Sequence, residues 1–146
     1  MKKKKLIIQA AGLVLVVLFF VAPLVQCSQD SSLNATGLQI ATKTGDLMSN
    51  ADNAYPTAFL LLAIPIILII VGFIGKSFNL LRIVSILGLV AQIAFMIVAY
   101  VMLNSDGDFK GAFVLTGFNW LLIAIHAGII GFTQYCIIQD KKGSET

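Results

Sequence analysis

The chain has 146 residues, of which 58% are hydrophobic and only 12% are charged. Soluble globular domains are about 45–50% apolar and about 25% charged, and a single soluble domain of this length cannot bury so many Leu, Ile, Val and Phe side chains. The composition, with a mean hydropathy of +0.94, therefore excludes a soluble enzyme, a disordered linker and a disulfide-stapled secreted module.

Four stretches of the sequence are long and apolar enough to cross a bilayer as helices, which takes roughly 20 residues each. None contains Asp, Glu or Lys, and Arg82 lies only at the entrance of the third. Because lipid offers no hydrogen-bond partner to the backbone, such stretches must be helical. The sequence predicts an all-α membrane protein, a single-domain four-helix antiparallel transmembrane bundle, with spans at about 6–27, 57–75, 80–103 and 114–138, an outer loop at 28–56 and a cytoplasmic tail at 139–146.

The basic residues predict the orientation of the bundle. Eight of the ten Lys and Arg residues fall on one side of the predicted spans, and only Lys43 and Lys110 fall on the other. By the positive-inside rule, both termini are then cytoplasmic. The net charge of +3 predicts contact with anionic lipid headgroups and no nucleic-acid partner, since no basic face carries interleaved aromatic residues. The eight residues are Lys2, Lys3, Lys4, Lys5, Lys76, Arg82, Lys141 and Lys142.

The N-terminus allows two interpretations. A lysine run, an apolar segment and Leu24-Val25-Gln26-Cys27 resemble a lipoprotein signal peptide with lipidation at Cys27. The apolar segment of about 20 residues is longer than the 7–15 of a signal peptide, and Gln26 stands where a small residue is expected. We therefore favour an uncleaved anchor helix, with lipidation as the alternative.

Cys27 and Cys136 are predicted at opposite ends of the bundle, too far apart for a disulfide.

The outer loop contains a short period-two pattern. Between Gly37 and Gly45, Leu38, Ile40, Thr42 and Thr44 alternate with Gln39, Ala41 and Lys43, which predicts a short β-strand over 38–44. We interpret the loop either as an ordered strap across the helix ends or as a contact surface for an extracytoplasmic partner.

In the second outer loop, Asp106-Gly107-Asp108 indicates a turn rather than a calcium site, because the other ligands of a calcium loop are missing.

Uncharged polar residues at mid-depth are the places where chemistry is most expected. Gln92 and His126 fall near the middle of the third and fourth spans, and we expect a hydrogen bond between them. Such residues serve either as packing contacts between helices or as ligand or proton sites. The candidate polar group consists of Gln92, Asn119, His126 and Thr133, the last three at seven-residue spacing on one helical face.

The opposite face of the fourth span is formed by small residues. Small side chains let helices approach closely, so this face predicts tight helix packing. A helix with one polar and one small-residue face is expected at the bundle centre, beside a cavity, or at an interface with another subunit. The residues of this face are Gly117, Ala124, Gly128 and Gly131.

The sequence carries none of the common catalytic motifs. One histidine cannot form a two-His metal site, and no phosphate loop, dinucleotide motif or nucleophile elbow occurs. We therefore predict no enzyme activity and no cofactor or metal. The leading hypothesis is a non-enzymatic subunit or assembly protein of a membrane complex, as a homo-oligomer or with other proteins. The alternatives are a small channel or transporter with a polar path near Gln92 and His126, and a lipid- or quinone-binding accessory protein.

Three features together resemble small prokaryotic four-span membrane proteins that have no characterised activity. They are the Met1–Lys5 basic start, Cys27 at the outer end of the first span, and the Gly37–Thr42 segment that follows. The resemblance implies the inner (plasma) membrane of a bacterium and implies no activity.

Overall fold

The computed structural model describes residues 2–49, 54–75, 77–105 and 112–144. Within them the chain forms four long helices and a small sheet. In chain order the elements are α1 (Lys2–Val21), β1 (Pro23–Cys27), β2 (Asn34–Thr36), α2 (Gly37–Thr42), α3 (Asp46–Ser49), a 3-10 turn (Pro56–Phe59), α4 (Leu60–Ile74), α5 (Phe78–Ser105), β3 (Phe113–Leu115) and α6 (Phe118–Ser144).

Four helices of the described chain are long and apolar enough to cross a membrane, which confirms the predicted four-helix bundle. Since their outward side chains are apolar and exposed, the chain is an integral membrane protein. The crossing segments are Lys3–Val21, Pro56–Ile74, Phe78–Val101 and Phe118–Lys142.

The bundle is held by close helix pairs. The helix α5 packs against both α4 and α6, and α4 packs against α1, with α1 and α6 in lighter contact. Glycines permit the α1–α4 approach, because a Cβ on Gly12 would lie 2.9 Å from Ile69 Cγ1 and one on Gly72 would lie 2.8 Å from Gln9 Cγ. The helix α4 continues through Pro65, which is buried.

Basic residues gather at one end of the bundle, which we call the basic end. Lys5 Nζ, near the start of α1, donates a hydrogen bond to the carbonyl of Gly75 after α4 and lies 6.0 Å from the centre of the Phe78 ring. Arg82 near the start of α5 donates to Gln134 Oε1 on α6. Two of the ten basic residues that predict the orientation, Lys76 and Lys110, lie outside the described residues. The same holds for Asp106-Gly107-Asp108, where the sequence predicts a turn.

A three-stranded antiparallel sheet covers the other end of the bundle, which we call the sheet end. Its order is β2-β1-β3, with Val25 of β1 opposite both Ala35 of β2 and Leu115 of β3. The sheet joins segments far apart in sequence. It therefore fixes the end of α1 beside the start of α6.

The sheet corrects two predicted span boundaries. The first span ends at Val21 instead of 27, because Pro23 lacks the amide hydrogen of a helix interior and restricts the residue before it, and residues 23–27 pair as β1. The fourth span begins at Phe118 instead of 114, because residues 113–115 pair with β1 as β3.

The strand predicted at 38–44 is wrong, because its first part forms the helix α2. A capping box starts this helix: Thr36 Oγ1 accepts from the Gln39 amide at 3.4 Å, and Gln39 Oε1 accepts from the Thr36 amide at 2.8 Å. Lys43 then ends it in the left-handed conformation, at φ 55°. The β-element of this loop is β2 (Asn34–Thr36), which directly precedes α2.

The β1–β2 connection is stabilised by Asp30. Its Oδ1 accepts from the Ser32 hydroxyl at 2.6 Å and from the Ser32 amide at 2.9 Å. These two donors favour the charged carboxylate and hold the pKa of Asp30 below its ordinary value. The charged carboxylate of Asp30, which is exposed to solvent, thus stabilises the turn between β1 and β2.

The contact of α2 with α1 gives a stability prediction. A Cβ on Gly37 would overlap the buried Phe19 ring, whereas one on Gly128 would meet nothing within 4 Å. We expect Gly37→Ala to lower the free energy of unfolding by about 1–3 kcal/mol through overpacking, and Gly128→Ala to cause no loss. Reversible unfolding of both variants in detergent measures the difference. Equal stability of the two would contradict the described packing of α2 on Phe19.

Candidate functional site

The Asn119 side chain is the centre of the polar contacts between the helices and the sheet. It is fully buried, and its oxygen accepts from Gln92 Nε2 on α5 at 3.0 Å. Its Nδ2 donates to the carbonyl of Leu24 in β1 at 2.7 Å and to the carbonyl of Thr116 at 3.2 Å. One amide side chain therefore connects α6, α5 and the central strand of the sheet.

Thr116 makes a second connection to β1. Its hydroxyl donates to the Pro23 carbonyl, and its amide donates to the Leu24 carbonyl at 3.1 Å. The Thr116 carbonyl in turn accepts from the Asn119 amide at 3.2 Å. Sequence reasoning missed Thr116 and Leu24. A threonine and an asparagine close to a helix start are a capping signal. That signal indicates hydrogen bonds within the helix start, but it does not indicate the hydrogen bonds of Thr116 and Asn119 to β1.

The expected hydrogen bond between Gln92 and His126 is replaced by the Gln92–Asn119 bond. The His126 ring instead packs against the backbone of α5 at Gly88, where a Cβ would overlap the imidazole. His126 is 4% exposed. Its Nδ1 and the buried hydroxyl of Ser85, one turn before Gly88, have no hydrogen-bond partner among the described residues.

A small cavity separates His126 from the Asn119 contacts. Its volume is about 10 Å³, which is near the minimum for one water molecule. The site is thus close-packed around its polar groups. The lining residues are Leu15, Phe19, Leu24, Leu61, Gln92, Leu122 and His126.

Thr133 shares the buried face but not these contacts. It is fully buried, and its hydroxyl donates to the carbonyls of Ile129 and Ile130, both at 2.9 Å, within its own helix. The structure therefore joins Gln92 and Asn119, places His126 beside the same small cavity, and leaves Thr133 apart.

Gly117, Ala124, Gly128 and Gly131, predicted to form one face of the fourth span, are all exposed, and Gly117 lies in the turn just before α6, since the helix begins at Phe118. We call these four residues the small-residue face of α6. A Cβ added to any of its three glycines would meet nothing within 4 Å in the described chain. The glycines of the other helices behave differently, since Gly12, Gly72 and Gly88 each lie against a neighbouring helix. The glycines of the face predicted for tight packing therefore make no close helix contact among the residues that the structure describes.

A much larger cavity, of about 570 Å³, lies near the sheet end. It is bounded by the start of α4, the second half of α5 and the α2–α3 segment. Sequence reasoning missed it; the available signal was the run of small residues Ala91, Ala94 and Ala99 on α5. The lining residues are Val25, Ile40, Leu47, Met48, Ala54, Tyr55, Pro56, Thr57, Leu60, Leu61, Ala91, Ala94, Phe95, Val98, Ala99 and Phe113.

The potential metal ligands of the described chain lie apart. No three His, Cys, Asp or Glu side chains within the described ranges come together as a metal site. Both cysteines are free: Cys27 ends β1, where its amide donates to the Leu33 carbonyl at 2.8 Å, and Cys136 is buried in α6.

Comparisons with protein-family models, with curated proteins and with solved structures find no match to this chain.

The Asn119 contacts predict a difference between two buried residues of one helix face. Asn119→Leu leaves the buried Gln92 side-chain amide without its partner, and an unsatisfied buried group costs about 1–3 kcal/mol. The Leu24 carbonyl loses one of its two donors and keeps the Thr116 amide. Thr133→Val removes bonds only to carbonyls of its own helix. We expect a clear loss of stability for Asn119→Leu and a much smaller one for Thr133→Val in detergent unfolding. Equal losses would contradict the connecting role of Asn119.

Proposed function

We propose that this chain is a non-enzymatic subunit of a membrane assembly, formed with further copies of itself or with other membrane proteins. It joins the assembly through the small-residue face of α6. The observation that carries this proposal is that a Cβ added at Gly128 or Gly131 inside α6, or at Gly117 just before it, would meet nothing within 4 Å in the described chain. A glycine in a helix interior costs up to about 1 kcal/mol relative to alanine, and a close partner helix offsets this cost because small residues let backbones approach.

The opposite face of α6 supports the same proposal. Its polar residues contact α5 and β1, so they bind the helix into its own bundle. The small-residue face is left toward the membrane. One helix thus has a face for its own fold and a face for a partner.

The packing near His126 favours assembly over a conducting path. The cavity there holds at most about one water, and the Asn119 amide is fully engaged by its three partners. A channel or transporter along this face stays a prediction. The orphaned Nδ1 of His126 is its strongest support.

We place the basic end in the cytoplasm and the sheet end outside, in the inner membrane of a bacterium. The positive-inside rule supports this orientation, since Lys5, Arg82, Lys141 and Lys142 belong to the same end of the bundle. The α2–α3 segment then faces the extracytoplasmic side, where it offers a second contact surface for partners.

The proposed interface is tested by Gly128→Ile. Gly128 is exposed, and a Cβ added there meets nothing within 4 Å in the described chain, so we expect an intact fold and loss of the oligomer or of the copurifying partner in native mass spectrometry. The matched control is Ala10→Ile, at an exposed position of α1, which should keep the assembly. A wild-type protein that is strictly monomeric and without partners, or an assembly unaffected by Gly128→Ile, would contradict the proposal.

The N-terminal segment gives a separate prediction. Cleavage before Cys27 would remove α1, with its buried Ile8, Leu15 and Phe19, and most of the central strand β1. We therefore expect α1 to be retained and Cys27 to carry no lipid. Intact mass measurement of the purified protein should give about 15.7 kDa. A mass lower by 26 residues, with an added diacylglyceryl group, would show that the lipoprotein interpretation is right.

A further inference from the structure

The 570 Å³ cavity near the sheet end has an apolar lining. Among its described lining residues none is charged, and only Tyr55 and Thr57 carry a hydroxyl. Cavities lined by apolar side chains stay dry and bind apolar molecules. Its volume also falls within the range of small-molecule sites, about 300–1,000 Å³. The lining therefore points to an apolar ligand and not to water.

The cavity opens toward the hydrocarbon of the membrane. Leu60 on α4 and Val98 on α5 are 56% and 49% exposed, and both line it. Ala94, one turn before Val98 on α5, also lines the cavity and is exposed as well. A ligand can enter sideways from the bilayer without passing through water.

The depth of the cavity matches one leaflet. On α5 the lining runs from Ala91 to Ala99, which is about 12 Å along the helix axis at 1.5 Å per residue. Ala91 lies near the middle of the span Phe78–Val101. Half of a hydrocarbon core of about 30 Å is about 15 Å, so the cavity extends from near mid-membrane to the sheet-end boundary.

The roof and rim are polar only at that boundary. Ile40, Leu47 and Met48 of the α2–α3 segment close the cavity over the helix ends. Tyr55 and Thr57 lie at the start of the second span, at the depth where lipid ester groups meet the protein. A chain with an apolar tail and a polar head therefore fits in one direction only.

An acyl chain fits the cavity by its apolar lining, by the opening toward the hydrocarbon and by the length of one leaflet. We propose that this cavity binds one acyl chain of a phospholipid from the leaflet at the sheet end, with its terminal methyl near Ala91 and its ester near Thr57. The site is separate from the small-residue face of α6 and does not rest on the proposed assembly.

The experiment uses the full chain in vesicles of phosphatidylethanolamine and phosphatidylglycerol. A small share of the phosphatidylethanolamine carries a photoactivated diazirine on one acyl chain, either at the terminal methyl or near the carboxyl group. Crosslinked residues are mapped by mass spectrometry. We expect the terminal probe to label the region of Ala91 and Leu61, and the carboxyl-proximal probe to label Tyr55 and Thr57.

Two tryptophan variants test whether the cavity holds the chain. Ala94→Trp fills the cavity, and we expect labelling of its lining to fall about tenfold, the change that 1.4 kcal/mol of lost binding preference produces. Ala63→Trp adds the same side chain at an exposed position of α4 outside the lining and should leave labelling unchanged. Gly128→Ile should also leave it unchanged, which separates this site from the α6 interface.

Several results would overturn the proposal. They are even labelling of all lipid-facing helices, equal loss in both tryptophan variants, a reversed order of the two probes, and a prenyl quinone or a protein segment found in the cavity in place of the phospholipid. If Ala94→Trp does not insert into the membrane, Ala94→Phe and the depth order of the two probes in the wild-type protein make the same test.

Discussion

The structure depends on one buried amide, that of Asn119. The hydrocarbon of a membrane provides no hydrogen-bond partner, so a buried polar group is stabilised when it finds its partners within the protein. Asn119 finds three, on α5, on β1 and at the start of its own helix. Because these partners belong to distant parts of the sequence, the same side chain sets the position of α6 against α5 and fixes the sheet over the bundle end.

This constraint explains why α6 has two different faces. Asn119, His126 and Thr133 are buried, as their seven-residue spacing predicts, and the first of them connects α6 to two other elements. Packing inside the bundle is supplied by Gly12, Gly72 and Gly88 on the other three helices. The glycines of the small-residue face of α6 have no such role within the described ranges. It is for this reason that we assign function to outward surfaces, and not to the mid-depth polar group.

The sequence predicts the four spans because their apolar length alone decides them. It does not predict where the first span ends or where the fourth begins, since the pairing of Pro23–Cys27 with residues 113–115 is a long-range contact. Thr36 and Gln39 carry the capping box of α2 in the sequence itself. The period-two pattern over 38–44, which includes Gln39, instead indicates a strand. The choice of Asn119 over His126 as the partner of Gln92 depends on the rotation and shift of α5 along α6. The large cavity likewise exists only once α4, α5 and the α2–α3 segment have come together.

A double-mutant cycle on Gln92 and Asn119 tests the central claim most directly. The free energy of unfolding is measured for the wild type, Gln92→Leu, Asn119→Leu and the double variant in the same detergent. The account predicts that the double variant loses less stability than the sum of the single losses, by roughly 0.5–2 kcal/mol, the range of buried interhelical polar pairs. Additive losses, within about 0.3–0.5 kcal/mol, would contradict it.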